Sequence, residues 1–189
     1  MKWFFISISV LVVIICSIII FVNKEDSTGP YSKQLNKIIN KKIKYDKLLK
    51  IEYDKSGDMI GSLESIRIDI TKKELTYRHS SAHYEPISVE VYKISDDDIN
   101  DLNNKIKEYN LPAWSKLKKS DMVVYDAASE SITLNYSNST IGGNKLVWYT
   151  ISFDSKIPLD GYPLLRNFKD LMYQLIKSDN LIKEYIEEE

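Results

Sequence analysis

The chain has 189 residues, 43% of them hydrophobic and 28% charged, with a formal net charge of −1. This length and composition fit a globular domain with its own core, and they argue against disorder over most of the chain. The near-zero charge gives no sign of nucleic-acid binding. The single cysteine, Cys16, lies in an apolar N-terminal run, so a disulfide, a catalytic thiol or a cysteine-ligated zinc is excluded from the remainder.

Residues 1–23 are predicted to form a transmembrane signal anchor, because residues 3–22 carry no charge. A helix of about 20 residues spans the roughly 30 Å of a bilayer's hydrocarbon core. A cleaved signal peptide has a shorter apolar region and a small-residue cleavage site, which Phe21-Val22-Asn23-Lys24 does not provide. Lipidation of Cys16 remains the minority alternative, because the residue before it is Ile15 rather than a small one.

Two features of the sequence predict opposite orientations for the anchor. A basic tail of two residues, ending in Lys2, precedes the run and favours a domain outside the cytoplasm, as in a signal anchor. The positive-inside rule favours the reverse. The lysines that favour an inside domain follow the apolar run, and they are Lys24, Lys33, Lys37, Lys41 and Lys42. We expect the domain to lie outside.

Residues 24–30 are predicted to form a polar linker, and residues 31–189 a single soluble α+β domain. The domain opens with a predicted helix over residues 31–44, whose apolar residues recur at spacings of three and four. Lysines fill its other positions. They indicate either a basic helix held near anionic lipid or, as we favour, an ordinary solvated face.

Alternating apolar and polar residues then predict four strands of an antiparallel sheet with one wet face. The apolar phases are Leu49, Ile51 and Tyr53; Ile66, Ile68 and Ile70; Leu75 and Tyr77; and Ile87, Val89 and Val91. A helix capped by Ser95 and opened by three aspartates follows, and it ends near Asn110 and Pro112.

Two further strands are predicted around residues 132–136 and 147–153, followed by an amphipathic helix from Pro163. A short final helix is predicted after Asp179, with Leu181, Ile182, Tyr185 and Ile186 as its apolar stripe. The predicted fold is therefore one antiparallel sheet of about six strands, with amphipathic helices on one face, behind an N-terminal transmembrane helix.

No catalytic, cofactor-binding or metal-binding site is predicted. His79 and His83 are four residues apart, but they fall in a predicted loop rather than on a helix that would align them on one ion. The segment around Gly57 fails as a calcium loop, because its twelfth position is Leu63 instead of glutamate.

The candidate interaction surface consists of Trp148, Tyr92, His79 and His83. Trp148 falls on the polar phase of its strand, where exposure beside Tyr92 would make a binding face. The alternative is that Trp148 packs under a loop or helix.

Four stretches are similar to an uncharacterised family of extracytoplasmic proteins from low-GC Gram-positive bacteria, whose members are lipoproteins or signal-anchored. They are residues 57–61 (GDMIG), 109–115 (YNLPAWS), 126–129 (DAAS) and 158–168 (PLDGYPLLRNF). The resemblance implies no activity, and it favours the outside orientation. The isoleucine before Cys16 departs from the lipoprotein pattern.

The first functional hypothesis is an extracytoplasmic binding or interaction module. Its expected partners are the lipid bilayer, through residues 3–22, and an envelope protein or wall component. The second is an extracytoplasmic hydrolase that uses a pair of carboxylates from Asp121, Asp126, Asp154 and Asp160. The third is a cytoplasmic-side module held on anionic lipid by its lysine-rich helix.

Overall fold

The structure, a computed structural model, describes residues 31–43, 46–57, 61–118, 129–138 and 145–187. The predicted anchor (1–23) and linker (24–30) lie outside these residues, as do Asp121 and Asp126. Within the described ranges, no helix is long and apolar enough to cross a membrane.

In the described part of the chain, seven antiparallel strands form one sheet in the order β6-β5-β1-β2-β3-β4-β7. Their bounds are Leu48–Ser56 (β1), Leu63–Asp69 (β2), Glu74–Ser80 (β3), Ile87–Lys93 (β4), Ser129–Asn138 (β5), Lys145–Ser152 (β6) and Leu181–Glu187 (β7). The helices are Lys33–Ile39 (α1), Asp96–Glu108 (α2), Leu111–Trp114 (α3) and Tyr162–Tyr173 (α4). The predicted α+β class and single antiparallel sheet are confirmed.

The core lies between the helices and one face of the sheet, which we call the helix face. Ile51, Ile66, Leu75 and Leu134 project from neighbouring strands into a single apolar cluster. The helices fill it with Leu35, Leu102, Leu111, Leu165 and Phe168. The opposite face, which we call the outer face, carries side chains such as Lys50, Glu52, Arg67 and Thr76.

The predicted final helix is wrong, because Leu181–Glu187 forms β7, the seventh strand. The spacing of its apolar residues fits a helix, but β-branched and aromatic residues also suit a strand. Pairing with β4 decides between the two, since Val89 lies opposite Tyr185 and Val91 opposite Lys183. A tertiary contact has thus overridden the local periodicity.

The predicted phase of β4 is also wrong. Tyr92 belongs to the core, whereas Val89 is buried on the outer face and lies outside the main apolar cluster. The register places Val89 between Arg78 of β3 and Tyr185 of β7, which cover it from both sides. Ile87, Val89 and Val91 were expected to face the helices. Pairing of β4 with β7, which was not predicted, is what buries Val89 on the outer face instead.

The capped helix is confirmed as α2. Ser95 Oγ accepts a hydrogen bond from the Asp98 backbone N–H, while the Asp98 carboxylate accepts from Ser95 N. The Ser95 hydroxyl also donates to the Asp98 carboxylate at 2.6 Å, and this bond, with the one from Ser95 N, lowers the pKa of Asp98. The first helix, α1, is shorter than predicted. It ends where the amide of Asn110 donates to the carbonyls of Ile39 and Lys41.

Candidate functional site

The structure separates the two aromatic residues of the candidate interaction surface. Trp148 lies on β6, faces away from the helices and is 65% exposed. Tyr92 lies on β4 and is buried in the core. Four strands separate β6 from β4, so these residues do not form one surface.

The two histidines also lie apart from Trp148, and they occupy different elements. His79 is in β3 rather than in the predicted loop, because its pairing with Glu64 and Ser88 extends the strand. Its ring stacks on Tyr77 at 4.8 Å. His83 lies in the turn between β3 and β4, with its ring 5.1 Å from that of Tyr84.

His79 and Tyr92 belong to a polar network that the sequence did not reveal, here called the glutamate–tyrosine cluster. It lies on the helix face, where α4 meets the ends of the central strands. Its members are Tyr53, Glu64, Tyr77, His79, Glu90, Tyr92, Glu130, Lys169 and Tyr173. The register of the strands brings these side chains together. Glu64 of β2 lies opposite Lys55 of β1 and His79 of β3, and Glu130 of β5 lies opposite Lys55 on its other side.

Most polar groups of the cluster are paired. Tyr77 donates to Glu64 Oε1 at 2.9 Å, and Tyr92 donates to Glu90. Lys169 donates to Glu130 Oε2 at 3.2 Å, and its ammonium lies 5.6 Å from the ring centroid of Tyr53. The cluster therefore joins α4 to the sheet by hydrogen bonds and by a cation–π contact.

Burial raises the pKa values of the cluster's tyrosine hydroxyls above their ordinary value. It raises the pKa of Tyr92 to about 12, helped by the hydrogen bond to Glu90. Burial is also the main cause that raises the pKa values of Tyr53, Tyr77 and Tyr173, and nearby glutamates add to it. At neutral pH these groups are hydrogen-bond donors rather than nucleophiles or bases.

Tyr53 is the exception within the cluster. Its hydroxyl is buried and has no partner of good hydrogen-bond geometry among the described residues, although Tyr173 and Glu130 lie close enough for polar interactions with them to influence the pKa of Tyr53. Replacing Tyr53 by Phe should leave the free energy of unfolding unchanged or raise it by about 1 kcal/mol, because an unsatisfied buried hydroxyl is removed. The matched change, Tyr77→Phe, should cost about 1–2 kcal/mol through the lost bond to Glu64. Equal losses in urea denaturation would contradict this difference.

The two described aspartates of the hydrolase hypothesis have structural partners. Asp160 accepts hydrogen bonds from Ser32 N at 2.6 Å and from Ser32 Oγ at 3.0 Å, and it thereby fixes the start of α1. Asp154 accepts from Ser152 Oγ. Among the described residues, no group of three or more His, Cys, Asp or Glu side chains is arranged to hold a metal ion.

The strongest candidate for a binding surface is the edge strand β7. From Leu181 to Ile186 every residue is exposed, on both faces of the sheet. Four of these side chains are large and apolar, and Ile182 and Ile186 are 56% and 57% exposed. They are Leu181, Ile182, Tyr185 and Ile186. No other described strand pairs with the outer edge of β7, so part of its backbone has no partner within the sheet.

The opposite edge of the sheet differs from β7. On β6, Tyr149 and Ile151 are buried on the helix face, where α3 packs, and only outer-face residues such as Leu146 and Trp148 are strongly exposed. One side of β6 is therefore already occupied by the fold. Among the described residues, nothing covers β7 in this way on either face, and this distinguishes it as a surface for a partner.

A groove of about 750 Å³ opens at the C-terminal end of β7. It is lined by His83, Tyr84, Glu85, Pro86, Ile87, Ile186 and Glu187. His83, predicted from sequence, thus lies beside the edge strand that the sequence did not identify. A polypeptide paired with β7 would pass this groove.

On the outer face, one side-chain contact ties β7 to β3, and a second lies within β7 itself. Arg78 reaches across β4 and donates to Glu187. The ammonium of Lys183 lies 4.2 Å from the centroid of the Tyr185 ring. Lys183, Tyr185 and Glu187 therefore form a row of positive, aromatic and negative side chains along one face of the strand.

No family model matches the chain, and no curated protein matches it. The assignment of function consequently depends on the geometry of the chain itself. The signal that would have identified β7 is the β-branched and aromatic content of its stretch, Leu-Ile-Lys-Glu-Tyr-Ile-Glu.

Proposed function

We propose that this chain is a membrane-tethered extracytoplasmic interaction module that binds an extended polypeptide along the open edge of β7. The apolar residues 3–22 provide the tether. The target strand continues the antiparallel sheet, so that backbone hydrogen bonds give affinity and alternate side chains give specificity.

The observation that carries the proposal is the exposure of β7 on both faces. Natural edge strands are commonly short, charged, bulged or covered, because open backbone groups recruit other strands. β7 is seven residues long and exposes Ile182 and Ile186 on the helix face and Tyr185 on the outer face. An added strand would cover apolar surface on both faces at once.

Photo-crosslinking in cells tests this proposal. A photoreactive phenylalanine analogue placed at Tyr185 should form a discrete protein adduct after illumination, because the target strand lies beside this residue. Protease added to the intact cells should then degrade the adduct, as expected for an outside domain. An adduct that survives until the cells are lysed would overturn the outside orientation.

Trp148 provides a matched control position. It is also aromatic, exposed, on an edge strand and on the outer face, but it belongs to the opposite edge. The analogue at Trp148 should give little adduct. Equal yields at both positions would indicate collisions at the surface rather than pairing with β7, and no adduct at either position would overturn the proposal.

A further inference from the structure

We propose that the strand received by β7 is β7 of a second copy of the chain, paired antiparallel about Tyr185. This inference rests on the proposed function and names its partner. The side chains of β7 differ in how well they match one another when the two-fold axis passes beside Lys183, Glu184 or Tyr185.

Two-fold symmetry limits the possible registers. In a sheet that continues through both copies, each residue must face a residue from the same side of the sheet, so the two-fold axis passes beside a single residue of β7. An axis at Lys183 sets the two Lys183 ammonium groups opposite each other. An axis at Glu184 does the same with two carboxylates. Directly opposed like charges destabilise a strand pair.

An axis at Tyr185 avoids both conflicts. Lys183 then lies opposite Glu187 of the second copy, whose carboxylate also accepts from Arg78 of its own chain, and this juxtaposition of opposite charges occurs twice by symmetry. The two Tyr185 rings meet at the axis on the outer face. Ile186 lies opposite Glu184 of the second copy on the helix face, next to the symmetry-related Ile186. β7 is therefore self-complementary in this register.

The same symmetry suits a tethered protein. A two-fold axis perpendicular to the sheet keeps the helices of both copies on the same side. Because α1 packs in this helix layer through Leu35 and Ile38, both chains enter from that side. The two N-terminal segments can then reach one membrane. Tethering also raises the effective concentration, which matters because a short strand pair is a small interface.

Disulfide trapping of the full chain in liposomes tests the pairing. With Cys16→Ser as background, Tyr185→Cys places two thiols across the axis, within the Cα separation of about 4.4–6.8 Å that a disulfide needs. Under mild oxidation this variant should form crosslinked dimer several-fold faster than Glu184→Cys and than Thr150→Cys. Thr150 is the control on the outer face of β6, at the other edge.

The relative crosslinking rates of the three cysteine variants distinguish the possible pairings. Fastest crosslinking at Glu184→Cys would overturn the register about Tyr185. Equal rates at Tyr185→Cys and Thr150→Cys would overturn self-pairing. If that occurred while the photoreactive residue at 185 still formed an adduct with another protein in cells, the edge would remain a binding surface and only the identity of its partner would change.

A second variant keeps Tyr185 in place. Lys183→Glu sets a carboxylate opposite Glu187 of the second copy, so the fraction of dimer among full chains in liposomes, measured with an amine crosslinker, should fall several-fold. Lys93→Glu changes the same charge at the end of β4 and should have no such effect. An unchanged dimer fraction in Lys183→Glu would overturn the predicted charge pairing.

Discussion

Replacing Trp114 by Ala should lower the free energy of unfolding by about 3–5 kcal/mol, the usual cost of truncating a fully buried aromatic residue. Trp114 is 1% exposed, and its indole Nε1 donates to the Tyr109 carbonyl at 2.7 Å. The change removes a large core side chain and leaves a buried carbonyl without its donor. Urea denaturation followed by circular dichroism measures the loss.

Trp148→Ala is the matched control for this prediction. The same truncation at an exposed position should change the free energy of unfolding by no more than about 0.5 kcal/mol. Comparable losses for the two tryptophans would mean that Trp148 is covered, contrary to the structure.

Gly161→Ala should destabilise the domain by about 1–3 kcal/mol through overpacking. Gly161 has φ −84°, so its backbone suits any residue and the effect must be steric. A Cβ there would lie 2.7 Å from Cη2 and 2.8 Å from Cζ3 of Trp114, and 3.1 Å from Cγ2 of Ile157. A buried ring held by its own hydrogen bond has little room to move.

The double variant separates steric conflict from other causes. When Trp114 is already Ala, the space next to Gly161 opens, and Gly161→Ala should then cost clearly less than in the native background. Strict additivity of the two losses would show that the glycine is required for a reason other than its contact with Trp114.

Much of the fold could be predicted because the local and the tertiary signals agree. The Ser95–Asp98 capping box involves only four consecutive residues, so the local sequence is enough to predict it. The alternation in β1 and β2 gives the face of Ile51, Tyr53, Ile66 and Ile68 correctly, since these strands lie in the middle of the sheet with helices on one side only.

The errors fall where a distant segment decides the outcome. β7 has helical spacing, and only its pairing with β4 makes it a strand. The same pairing buries Val89 on the outer face and so reverses the expected phase of β4. The candidate site was missed for this reason, because an edge strand is identified from the order of strands in the sheet, which local sequence does not encode.

The glutamate–tyrosine cluster was missed for a related reason. Glu64, Glu90 and Glu130 each lie at positions where a charged residue suggests the wet face. They lie on the helix face because this end of the sheet extends to the border of the helix layer, where Lys169 and tyrosine hydroxyls provide partners. The position of this border depends on where α4 packs on the sheet, which the alternation of residues within a strand does not show.

The central claim is that β7 is the binding edge, and the most direct measurement is the ratio of in-cell adduct formed from position 185 to that formed from position 148. Both residues are aromatic, exposed and on the outer face, Trp148 (65%) more so than Tyr185 (38%), and they differ in the edge to which they belong. We predict a ratio several-fold above one. A ratio of one or below would contradict the assignment of β7 as the binding surface.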